Sequence, residues 1–245
     1  MLFRHIVFSA LLVGIISGGI LTVVQFFQVI PIILSAESYE GGAAVVSISE
    51  KTEHDHASHE HAATGEWGPK EGLERTAYTL LTNILTAIGF ALLTLVAIVT
   101  SQNPKDKNKP NWRHGILWGL SGYIIFFVAP ALGLPPEIPG TAAAPLETRQ
   151  IWWIFAVICT AGGIGGAVSV KQPWRWALLG LLVIPHLVGA PHLSTGMFAG
   201  QPPAVSAELT ILTQQFIIAT ALTTATLWLS LGITSVWSAR RFVLS

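Results

Sequence analysis

Long apolar runs without a single charge constrain this chain more than any other feature. A hydrocarbon core about 30 Å thick takes about 20 apolar residues per crossing helix. Runs 6–34, 76–101, 115–134, 150–170 and 209–238 all meet that length. A sixth, 176–190, is short and is interrupted by Pro185 before Pro191 closes it off. Inside lipid every backbone N–H and C=O needs an internal partner, which a helix supplies. The expected fold is therefore an all-α integral membrane protein. It is a bundle of six transmembrane helices, or five if the short run does not cross, in one membrane domain over 1–245. Charged residues make up 11% of the chain, well below the roughly 25% of soluble domains. With zero net charge there is no basic footprint for nucleic acid, so the expected partner surface is the lipid bilayer.

Charge placement favours six crossings. Cytoplasmic loops collect Lys and Arg. With the N-terminus inside, six spans put Arg4, Lys105, Lys107, Lys109, Arg113, Lys171, Arg175, Arg240 and Arg241 on the inner side, where Asp106 is the lone acid. Lys51, Lys70, Arg75 and Arg149 fall outside with the remaining acids. Both termini are then expected in the cytoplasm, with the protein in a bacterial inner membrane. A five-span path would split Lys171 and Arg175 from Arg240 and Arg241. The first run is longer than the ~7–15 apolar residues of a signal peptide, so it reads as a retained helix; cleavage near Ser35 is the alternative. The polar segments are an acidic, His-rich outer loop (37–75), a basic cytoplasmic loop (102–114) and a Pro/Gly-rich outer or re-entrant segment (191–208). Gly14 with Gly18, and Gly162 with Gly166, have the spacing that brings helices close in lipid.

The densest chemistry is His54, Asp55, His56, His59, Glu60 and His61. Imidazole suits borderline divalent ions such as Co, Ni, Cu and Zn, and carboxylates add oxygen ligands. Neutral imidazole is the binding form, so affinity falls with acidification. The second candidate is the repeated Pro-His of Pro185-His186 and Pro191-His192, with Glu208 further along. Ionisable residues at a helix break near the membrane mark a functional site by default; the plainer reading is an interfacial break with ordinary histidines. Gln25, Gln28, Asn83, Gln214 and Gln215 are weaker candidates, since interhelical hydrogen bonding explains most such side chains. His5 and His114 read as headgroup-level residues. Cys159 is the single cysteine, which excludes an intrachain disulfide. Neither a G-x-x-x-x-G-K-[ST] nor an H-E-x-x-H stretch is present, so neither P-loop nucleotide binding nor zinc proteolysis has support, and no enzyme activity is expected.

Three stretches together resemble a known family. They are Phe3-Arg4 followed by Gly14 and Gly18-Gly19; the His/acid loop leading into Glu66-Trp67 and Gly72-Leu73-Glu74-Arg75-Thr76; and Pro185-His186-Leu187-Val188-Gly189-Ala190-Pro191. In order and spacing they are similar to the CbtA family of cobalt transporter subunits. The resemblance implies a membrane subunit for cobalt uptake in support of cobalamin biosynthesis. It also implies a small, single-span, His-rich partner subunit (CbtB-like), and five spans where the charge pattern argues for six. On this reading Co2+ is carried, with Ni2+ or Zn2+ as alternatives, and no cofactor is tightly bound. Two rivals remain at this level: a haem-binding membrane redox protein, and a metal sensor or scaffold that transports nothing.

Overall fold

The structure, a computed structural model, describes residues 2–46, 69–70, 72–102, 110–193 and 196–244, with the backbone alone over 40–46. All regular structure among the described residues is helical. The cluster from His54 to His61 lies outside the described residues, as do Lys105, Lys107 and Lys109.

Five helices are long and apolar enough to cross a membrane: Leu2–Gln28, Leu73–Ser101, Trp112–Ala131, Leu146–Ser169 and Pro203–Val243. In order, the elements are α1 (Leu2–Gln28), α2 (Ile30–Val46), α3 (Leu73–Ser101) and α4 (Trp112–Tyr123). α4 continues as a π-turn into α5 (Ala129–Ala131). Then come α6 (Leu146–Ser169), α7 (Trp174–Leu179), α8 (Ile184–Val188) and α9 (Pro203–Ser238), which ends in a second π-turn. The widening before α5 sits just ahead of Pro130, whose ring cannot occupy a regular turn above the carbonyl four residues back. α1 and α2 are one helical path interrupted at Val29, where Pro31 lacks the N–H that would bind the Phe27 carbonyl. The path runs on to Val46, so the segment expected to form the outer loop from residue 37 begins as helix.

The short sixth run is not one continuous helix. It folds as α7, a 3-10 turn over Gly180–Leu182, and α8. Pro185 removes a donor, and Gly189, at φ +86°, ends the last turn. Yet these pieces lie antiparallel along α6: Leu178 packs on Gly166, Leu182 on Gly163, and Pro185 meets Trp152. The chain thus returns along α6 to the end where α6 began, which is the alternation that six crossings require.

Close backbone approach knits the rest. An added Cβ on Gly18 would lie 2.6 Å from the Ile84 Cα, and one on Gly14 would lie 2.7 Å from the Ile88 nitrogen. On α4, a Cβ on Gly119 would reach 2.5 Å from the Trp228 carbonyl oxygen and one on Gly115 would reach 2.8 Å from the Ile233 Cα. These contacts make α1 antiparallel to α3, and α4 antiparallel to α9. Lipid gives little hydrophobic drive for helix association, so close packing of small residues substitutes for it. Phe90, Phe126 and Trp228 fill the space between α3, α4 and α9 with ring centroids 4.9–5.1 Å apart.

One end of the bundle therefore holds Arg4, Arg113, Lys171, Arg175, Arg240 and Arg241. The other holds Glu37, Glu74, Glu137, Glu147 and Glu208, with Arg75 and Arg149 each paired to a glutamate at 2.7 and 2.8 Å. His114 serves at the basic end: Asn111 Oδ1 accepts from the amides of Arg113 and His114, and Asn111 N–H donates to His114 Nδ1 at 3.2 Å, capping α4.

Candidate metal entrance

His186 sits at the acidic end, on the single turn of α8. Its position depends on Trp152, which is buried near the start of α6. The Trp152 indole Nε1–H donates to the Pro185 carbonyl at 3.3 Å, and that carbonyl also accepts from the Gly189 amide at 3.0 Å. The Trp152 ring meets the His186 imidazole edge-on, with centroids 6.0 Å apart. Gly133 makes room for the indole, since a Cβ there would lie 2.6 Å from Trp152 Cζ2. Pro185 thus presents a half-buried His186 imidazole against the Trp152 ring.

His192 is exposed, three residues beyond Gly189, and Glu208 is exposed on the second turn of α9. Among the described residues no group of three or more His, Cys, Asp or Glu side chains could hold a metal ion. His186, His192 and Glu208 therefore share an end of the bundle without forming a ready-made site. A single imidazole with water could bind a passing ion weakly; a tight site would need ligands from elsewhere. His114 is at the opposite end of the bundle from His186, so the axial pair that a haem reading would draw from those two is not assembled.

A cleft of about 610 Å³ opens at the same end, lined by Pro135, Pro136, Glu137, Arg149, Gln150 and Trp153 among others. Arg149 Nη1 donates to Glu137 Oε2 at 2.8 Å. Sequence reasoning gave no role to Glu137, because a lone carboxylate between prolines carries no motif.

The apolar-run amides divide cleanly. Gln28, Gln214 and Gln215 are exposed. Gln25 and Asn83 come together: Asn83 Nδ2 donates to Gln25 Oε1 at 2.6 Å and to Thr22 Oγ1 at 3.0 Å. Thr22 had no signal of its own; only the antiparallel register of α1 and α3 brings it there.

This arrangement is that of a multi-pass α-helical membrane protein with its described acids, His186 and His192 at one end, and His114 with most of its described basic residues at the other. The chain belongs to the CbtA family, described as probable cobalt transporter subunits, whose pattern matches residues 3–240. No curated protein and no solved structure matches it. That description, a probable cobalt transporter subunit, implies a partner subunit.

Proposed function

We propose that this chain is the permease subunit of a cobalt uptake system in a bacterial inner membrane, with its basic end and both termini in the cytoplasm. The observation that carries the reading is the polarity of a bundle from this family. His186, His192 and Glu208 sit at one end, and Arg4, Arg113, Lys171, Arg175, Arg240 and Arg241 sit at the other. The positive-inside rule then orients the histidines outward. His54, Asp55, His56, His59, Glu60 and His61 act as a weak outer antenna whose acidic surroundings concentrate divalent cations. His186 takes the ion at the mouth. A small single-span, His-rich subunit is the partner, and Ni2+ and Zn2+ are competing ions. Inward movement of two charges through 100 mV is favourable by about 4.6 kcal/mol, enough to draw Co2+ in without nucleotide hydrolysis by this chain.

The test is growth that depends on cobalt, in cells relying on this chain and its partner for uptake. Deletion of residues 54–61 is expected to impair growth only when cobalt is scarce. His186→Ala is expected to lower initial uptake about tenfold at every concentration, with the protein still present in the membrane. Wild-type rates in both strains would refute the assigned roles.

A further inference from the structure

The network joining α1 to α3 has a chemistry that the histidines do not share. We propose that Thr22, Gln25 and Asn83 form a seat for a small alkali cation, Na+ in particular. The Thr22 hydroxyl donates its proton to the Gly18 carbonyl at 2.9 Å, so it offers Asn83 only a lone pair. Gln25 offers its carbonyl oxygen. Two oxygen lone pairs thus converge on one amide NH2 group, and Asn83 is only 8% exposed. A point where two acceptors meet a partial positive charge is also a point that favours a cation. The oxygen and nitrogen of a carboxamide exchange places by a half-turn. That half-turn would set Asn83 Oδ1 against the other two oxygens, an arrangement relieved by a cation among the three. The Asn83 amide is therefore its own plug when no ion is bound.

The donor set decides the ion class. Hydroxyl and amide oxygens are hard ligands, and the triad contains no imidazole, thiolate or carboxylate to favour a borderline transition metal. It also has no group that titrates near neutrality, so it cannot carry a proton. A few neutral oxygens offset the dehydration of a divalent ion far less well than that of a singly charged one, whose remaining coordination water can fill at the partly exposed Thr22 and Gln25.

Other buried hydroxyls lie further along α1 and on α9. The Ser17 hydroxyl lies 3.5 Å from that of Thr234. Ser9, Ser235 and Ser238, at 2%, 0% and 0% exposure, have hydroxyls with no hydrogen-bond partner among the described residues. Buried hydroxyls without partners are rare because they are costly. These three lie on α1 and α9, on the basic-end side of the network. At the other end Arg75 grips Glu37 through both terminal guanidinium nitrogens, Nη1 and Nη2, at 3.1 and 2.7 Å.

A role for this ion in driving cobalt rests on the permease reading; the seat itself does not. The direct test uses the purified full-length chain in lipid nanodiscs, melted in sodium chloride and in choline chloride of equal ionic strength. Sodium is expected to raise the melting temperature in a saturable way. Thr22→Val and Gln25→Met each take an acceptor from the buried Asn83 amide, so they melt lower than wild type in choline, and against that baseline the apparent sodium affinity should fall at least tenfold. Asn83→Leu should abolish the sodium effect. If Asn83→Leu does not fold, the two milder variants decide. No sodium-specific shift in the wild type, or an undiminished shift in Thr22→Val and Gln25→Met, overturns the seat. The two proposals fail separately: cobalt flux without a sodium shift removes the seat and keeps the permease, and a sodium shift without cobalt flux does the reverse.

Discussion

The α1–α3–α4–α9 half of the bundle and the hairpin formed by α6 with α7 and α8 are both packed on glycines, but against different things. In the first half backbone meets backbone: Gly18 on Ile84, Gly119 on Trp228 and Gly232 on Gly115. In the hairpin the tightest contacts are leucine side chains, with Leu182 against Gly163 and Leu178 against Gly166. Side chains can change rotamer and backbones cannot. The first half is therefore fixed in register, while the hairpin, with its helix broken into short pieces, can shift at low cost. The imidazole proposed to meet the metal is on the piece that can move, and the Thr22–Gln25–Asn83 network is on the piece that cannot.

Substitutions can break that comparison. The largest effect is expected at Gly232, where a Cβ would fall against the Gly115 carbonyl oxygen and 2.5 Å from the Gly119 nitrogen. Gly232→Val should cost more than about 3 kcal/mol, because overpacking cannot be relieved by rotamers. It should be seen as loss of monodisperse protein. Gly163→Ala should cost about 1–2 kcal/mol, read as a smaller fall in melting temperature, since the nearest atom is the end of the Leu182 side chain, with the Leu178 carbonyl oxygen next at 3.0 Å. Equal losses at the two sites would erase the distinction. Trp152→Phe should cost about 1 kcal/mol, since the smaller ring leaves a partial cavity at a buried site while the Pro185 carbonyl keeps its bond from Gly189. It should nonetheless loosen the segment around His186, read as faster amide exchange over residues 184–190 with α1 and α3 unchanged.

Much of this was legible in the sequence. The apolar runs and the Lys/Arg pattern specify the helices, their alternation and the polarity of the two ends, because length and charge act locally. Gly14 and Gly18 were readable as a crossing for the same reason. Gly162 and Gly166 were half right: the closer contact is at Gly163, because the partner is a bent segment and not a straight helix. Gly115 and Gly119 have the same spacing, but their partner Gly232 is more than a hundred residues away in sequence. The meeting of Thr22, Gln25 and Asn83 likewise depends on register between helices. His114 read as a headgroup residue and acts as a cap, which depends on Asn111 adopting extended backbone. Residues 37–46 read as loop from their polarity but continue the helix of the first run.

The account stands on cobalt crossing the bilayer through this chain, and flux reports that most directly. Vesicles containing the purified chain with its partner, given an inside-negative potential, should accumulate labelled Co2+, and vesicles with His186→Ala should lag about tenfold. If wild-type vesicles, with or without the partner, hold no more cobalt than protein-free ones, the permease reading is contradicted.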